Sequence, residues 1–291
     1  MRLLPYLKII SKSCSALLSQ IDRRQVLLLR MLLLFFFGLT FGASQGPSQI
    51  LRSRPLADTV GFATQAWQLD SLLARIWYQS EARKPPVYAE RYDATQAWKV
   101  VISPHDDYAY VGALYPQLFQ SLRAKVVIIF GVAHRARLFN LENQLVFDSF
   151  PSWHGVYQPI KPHPLREYLM QQLPQELWQL NDSLQTVEHS VEALLPFVQH
   201  FNRQVSFVSV LVPAMPFERM QVIAQACATA IATYARQHNW QWGQDFALVI
   251  SNDAVHYGDE DWGGKNYAPY GCTPQGYQNA LTHEKEIIER C

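Results

Sequence analysis

The chain has 291 residues, 49% of them apolar and 17% charged, so it can bury a sizeable core and is not globally disordered. A net charge of +1 argues against a polyanion binder held by bulk charge, and no nucleic-acid partner is expected. Four cysteines exclude a disulfide-dense scaffold, and no CxxC pair marks a structural zinc site.

The charge is uneven along the chain. Residues 1–44 carry six basic groups (Arg2, Lys8, Lys12, Arg23, Arg24, Arg30) and the single acid Asp22, leaving the remainder about −4. An apolar run, Met31–Phe41, follows and gives way to Gly42, Ala43 and Ser44. A basic region, an apolar region and small residues in that order predict a signal peptide over 1–44 and a secreted or periplasmic mature chain, residues 45–291. The competing reading is a membrane anchor reaching back through Val26–Leu29. Arg30 interrupts that longer run, and the clean part is too short to span a bilayer. Without the leader three cysteines remain, Cys227, Cys272 and Cys291, an odd number that implies a free thiol.

The pattern then predicts a helix over 65–80, a proline-containing loop at 84–87, a short buried strand over 99–103 and a helix over 112–122. Val126–Phe130 reads as a strand from its β-branched and aromatic content. A helical stretch over 188–201 should be kinked or divided at Pro196. A third strand is expected over 205–212, a long alanine-rich helix over 217–238 and a fourth strand over 246–251. The final residues, 278–291, look helical and stop without a cap, which leads us to expect a fragment. Strands alternating with helices predict a single α/β domain with a mostly parallel sheet.

Ligands in open α/β sheets bind beyond the carboxyl ends of the strands. Three predicted strand ends present a histidine: Pro104-His105-Asp106-Asp107, Gly131-Val132-Ala133-His134 and Asn252-Asp253-Ala254-Val255-His256. Glu188-His189-Ser190 adds a further cluster. Imidazole suits borderline metals, and carboxylates ligate or orient it. Each residue alone has a structural reading: a loop histidine, an acid at a helix start, a turn aspartate. It is their conjunction that points to a site. The Pro-rich loop 151–164, with His154 and His163, reads as a lid or rim. The aromatics Trp153, Tyr157, Trp262, Tyr267 and Tyr270 read as packing or as a pocket wall. No GxSxG elbow, P-loop or GxGxxG is present.

These segments resemble the MEMO family, whose bacterial members are called AmmeMemoRadiSam system protein B. Ser103-Pro104-His105 with Tyr108, Tyr110 and Gly112 resembles its PHAGYxYxG. Phe130-Gly131-Val132-Ala133-His134 resembles its LGPxH. Glu188-His189-Ser190-Val191-Glu192 with Leu195-Pro196-Phe197 resembles its EHSxExxLPF, and Ser251 to Tyr257 its SSDxSHY. Arg54-Pro55 with Val60-Gly61-Phe62 resembles its N-terminal RPPAVAGxFYP. The resemblance implies a fold like that of class III extradiol dioxygenases of the LigB type, and a pocket for iron or copper. It places metal ligands at His105 and His134, and His189, Asp253 and His256 in the same pocket, as candidate catalytic residues. The family's third ligand, a cysteine in a CGR-like segment, has no counterpart by motif, Cys291 included. Asp106 and Asp107 replace the family's small residues and favour harder ions. Two rivals stay open: a zinc-dependent hydrolase of the deacetylase type, suggested by His-Asp-Asp after the first strand, and a non-catalytic module binding a peptide or small ligand in the same pocket.

Overall fold

The computed structural model describes residues 53–82, 96–253, 257–260 and 265–290. The leader, the 84–87 loop, Trp262, His256 and Cys291 lie outside these. Chain order is α1 (Ala66–Ala82), β1 (Val100–Ser103), α2 (Tyr108–Val111), α3 (Tyr115–Phe119), β2 (Val126–Val132), β3 (Leu145–Phe147), α4 (Leu165–Gln172), β4 (Trp178–Leu180), α5 (Asp182–Val187), α6 (Leu195–Phe201), β5 (Ser206–Val212), α7 (Phe217–Gln237), β6 (Phe246–Ser251) and α8 (Pro274–Arg290). The six strands form one sheet in the order β1-β6-β2-β5-β3-β4. The pairs β1·β6, β6·β2, β2·β5 and β3·β4 are parallel, and β3 meets β5 antiparallel. The expected α/β architecture with a mostly parallel sheet is borne out. Among the described residues no helix is long and apolar enough to cross a membrane.

β2 is a continuous apolar run, and β5 is one apart from Ser206 and the buried Ser209, because both faces of the sheet are covered there. Alternate residues point to two cores. Val127, Ile129, Phe207, Ala247 and Val249 pack with Leu69 and Leu73 of α1, Tyr115 and Phe119 of α3, and Phe197 of α6. Val126, Ile128, Val208, Val210 and Phe246 pack with Leu165 and Leu169 of α4 and with Ile223, Cys227, Ile231 and Tyr234 of α7. The last four follow the i, i+4, i+8, i+11 stripe of an amphipathic helix.

Four strands and the long helix α7 fall close to their predicted positions; other elements differ. The helix expected over 112–122 is reduced to the five-residue α3, with Pro116 in its first turn, and the short α2 precedes it over Tyr108–Val111. Proline has no N–H and clashes with the carbonyl four residues back, so it begins a helix rather than continuing one. Pro196 acts likewise. It sits in the first turn of α6, where the stretch is divided as expected, a 3-10 turn at Glu192–Leu194 lying immediately before the α-helix. Glu188 is extended (φ −105°, ψ 130°) and ends α5, so residues 188–191 are irregular and not a helix start. The 151–164 loop is anchored: Trp153 and Ile160 exchange backbone hydrogen bonds and are buried at 1% and 2% exposure. The strands β3 and β4 and the helices α4 and α5 were not anticipated.

Candidate metal centre

Register brings the site together. Ser103 of β1 is paired with Ser251 of β6, and Ser251 with Gly131 of β2. Three adjacent parallel strands therefore end level. His105 stands two residues beyond β1, His134 two beyond β2 and Asp253 two beyond β6. The irregular segment after α5 adds His189. It lies directly against β2: a Cβ on Gly131 would stand 2.5 Å from Ser190 Oγ and 2.7 Å from Val191 Cγ2. Glycine is required there for the approach to occur.

The three imidazoles meet. One ring nitrogen from each of His105, His134 and His189 lies within 4.8 Å of the others. His105 is wholly buried and His189 partly so, while His134 opens to solvent. His134 and His189 stack at 5.6 Å, and His105 meets both rings edge-on. Phe62 walls the site at 5.7 Å from His189.

Proton counting fixes the tautomers. Ser251 Oγ donates to the Ser190 carbonyl, which can only accept, and sits 2.9 Å from His105 Nδ1. Ser251 therefore accepts from His105 Nδ1–H, and His105 Nε2 carries a lone pair. His134 Nδ1 is 2.9 Å from Glu188 Oε1, again an acceptor, so His134 Nε2 is also left as the free position. The two Nε2 atoms face each other at 3.4 Å. Asp253 Oδ2 lies 3.3 Å from His105 Nε2, while its Oδ1 accepts the His105 backbone N–H. Three electron-rich atoms thus converge on one point. A cation relieves the repulsion, either a proton on His134 or a metal ion. Two imidazole nitrogens bound at about 2.1 Å to a tetrahedral ion stand about 3.4 Å apart, which is the spacing observed.

The electrostatics follow from the same contacts. Burial pushes the His105 pKa down to about 4, against the pull of Asp253, so the ring is neutral and a competent ligand at pH 7. The hydrogen bond that His134 donates to Glu188 raises the pKa of His134. Burial resists ionisation of Glu188, but its bonds to His134 and to the Arg135 backbone outweigh this and hold it below the usual range.

Residues 188–190 serve every histidine. The Glu188 side chain holds His134, His189 contributes its own ring, and the Ser190 carbonyl holds Ser251 and through it His105. Glu188 belongs to the cluster noted in the sequence but without a role, and Ser251 lies in a quoted motif without being noted as a site residue. Their partners are 54 and 146 residues away, beyond any local signal. Asp106 and Asp107 are engaged elsewhere than at the imidazoles. Asp106 Oδ1 accepts the Asp107 N–H, and the Asp107 carboxylate covers Gly61, which at φ +80° has the backbone freedom and the space to lie beneath it.

Comparison with known proteins agrees with the motifs. The family model for Memo-like proteins matches residues 64–290. A MEMO1 family protein of Metallosphaera sedula is 26% identical over 168 residues, 56% of this chain. The match spans 55% of that relative's length. With its strand-end histidines and a sequence match over most of its length, the chain belongs to the Memo-like protein family.

Proposed function

We propose that this chain is a mononuclear metal-binding protein in which His105, His134 and His189 hold the ion and leave further positions open to a substrate or dioxygen. The observation that carries the reading is the pair of Nε2 lone pairs aimed at each other at 3.4 Å, with both tautomers set by acceptors behind them. Iron or copper is the proposed metal, on the family resemblance and the imidazole-rich donor set. When bound, such an ion supplies Lewis-acid and one-electron chemistry. The chain's own groups do the rest. Glu188 and Ser251 set the tautomers and keep the rings aimed. Asp253, partly exposed beside His105, accepts a proton from a bound group. His256, three residues after Asp253 in the sequence, is the second candidate for that acid–base role. Phe62 and the half-buried His189 face exclude bulk water from one side.

A second reading is favoured by the same 3.4 Å spacing, which suits tetrahedral zinc. His105, His134 and His189 would hold the zinc, which would supply an activated water, and Asp253 would be the general base. The leader's basic, apolar and small-residue order supports an exported protein, with no stable membrane span after cleavage.

Elemental analysis of the mature protein purified without added metal, beside a His105→Ala/His134→Ala double variant, tests the reading. Near-stoichiometric iron or copper, lost in the variant, is expected. Zinc lost in the variant transfers the assignment to the hydrolase. No metal in either sample, with cobalt(II) also failing to bind, overturns the centre and leaves a ligand-binding pocket.

A further inference from the structure

The resemblance to the family's N-terminal motif rests on Arg54-Pro55, and the metal site as described makes no use of it. Arg54 is nevertheless 1% exposed, an unusual place for a guanidinium. Its backbone N–H donates to the Ser152 carbonyl at 2.8 Å, and its guanidinium carbon stands 3.9 Å over the Trp153 ring. From there the fork reaches the irregular segment that carries the site. Nε donates to the Gln185 carbonyl at 2.8 Å, Nη2 to the Glu188 carbonyl at 2.5 Å, and Nη1 to the Glu192 carboxylate and the Pro55 carbonyl. Glu192 in turn accepts the backbone N–H groups of Ala57 and Asp58.

The three anchor points bracket His189. Gln185, near the end of α5, and Glu188 precede it and Glu192 follows it, on either side of the irregular residues 188–191. An irregular backbone needs outside partners for its carbonyls when it is buried. Arg54 supplies two of them, one being the carbonyl of the residue whose side chain holds His134.

We infer that Arg54 is a positioning residue for the metal centre. It acts at a distance, by fixing the backbone from which Glu188, His189 and Ser190 aim all three imidazoles. A planar fork with five donors in fixed geometry can satisfy two carbonyls and a carboxylate at once, whereas the lysine ammonium, a compact charge on a flexible stem, cannot match those directions. The inference rests on the metal reading above and adds to it a residue that touches no ligand.

The test uses the full chain as Arg54→Lys and Arg54→Gln, with Arg166→Lys as a matched control. Arg166 is a second buried arginine, paired with Asp148 and bonded to the Phe150 carbonyl, with no bond to residues 185–192. Cobalt(II) affinity, the visible cobalt spectrum at saturation and the apo unfolding midpoint are measured for each. Arg54→Lys and Arg54→Gln should bind cobalt(II) at least tenfold more weakly and show displaced visible bands. Arg166→Lys should lose thermal stability while keeping the wild-type affinity and spectrum. If both Arg54 variants keep the wild-type spectrum and affinity, or if Arg166→Lys loses affinity in proportion to its lost stability, the positioning role is overturned and Arg54 is a stability element. Failure of the wild-type chain itself to bind cobalt(II) overturns the metal reading first, and the role with it.

Discussion

Replacing Ser251 with alanine removes one hydroxyl from the centre of the hydrogen-bond relay. The hydroxyl is buried, accepts from His105 Nδ1–H and donates to the Ser190 carbonyl. Its loss leaves one buried donor and one buried acceptor without a partner. Each such group costs about 1–3 kcal/mol, so the upper bound is about 6 kcal/mol. His105 has an escape that lowers the cost. Its proton can move to Nε2 and be donated to His134 Nε2, 3.4 Å away, leaving the Ser190 carbonyl as the main loss. The expected destabilisation is therefore about 2–3 kcal/mol. The same escape closes the metal site, because the proton now occupies the position that a cation would take. Metal affinity should fall about 10–100-fold, the usual effect of removing a group that orients a ligand histidine. Denaturant unfolding of the apo protein gives the first number and competition titration with zinc the second. Nitrogen-15 spectra of the imidazoles report the tautomer. Wild-type affinity in the alanine variant, with His105 still protonated at Nδ1, would refute the relay.

Gly131→Ala should push Ser190 and Val191 away from β2, since the new methyl would stand 2.5–2.7 Å from their side chains; we expect a loss of about 1–3 kcal/mol by thermal unfolding and weaker metal binding. Glu188→Gln should lower the His134 pKa towards its ordinary value, read by NMR titration, because the carboxylate hydrogen bond is what raises it. Asp148 titrates near 6 because burial outweighs the help of Arg166. Its folded pKa lies above its unfolded one, so its contribution to stability is complete below about pH 4 and is lost as pH rises through about 6. Unfolding free energies of the wild type and Asp148→Asn, compared at pH 7 and pH 4, should diverge by about 2–3 kcal/mol in favour of the wild type at the lower pH. A constant difference between the two would show that the acid does not titrate in this window.

The strands that carry the site were legible because burial on both faces leaves a plain mark, a run such as Val126-Val127-Ile128-Ile129 between polar stretches. Their carboxyl ends then named His105, His134 and Asp253 by position alone. What hid was whatever depends on partners far along the chain. β3 and β4 are three residues each, too short for a period to emerge, and β3 is held in place by β5 and β4. Glu188 and His189 looked like a first helical turn because acids favour that position, yet the Glu188 carboxylate accepts from His134, and the neighbouring Ser190 hydroxyl donates to the Val132 carbonyl at the end of β2. Ser251 reads as an ordinary polar strand end until the register places it beside His105.

Three consecutive residues, Glu188, His189 and Ser190, stand behind three different histidines. Such an arrangement makes the donors a single cooperative unit. A local opening of this short stretch would release His134, His105 and His189 in one step, so intermediate coordination states have no structural support. Substitutions within the stretch should fail to add: once one of them has loosened the backbone, a second finds little left to remove. The binding site would then behave as an all-or-none element inside a fold whose sheet remains intact.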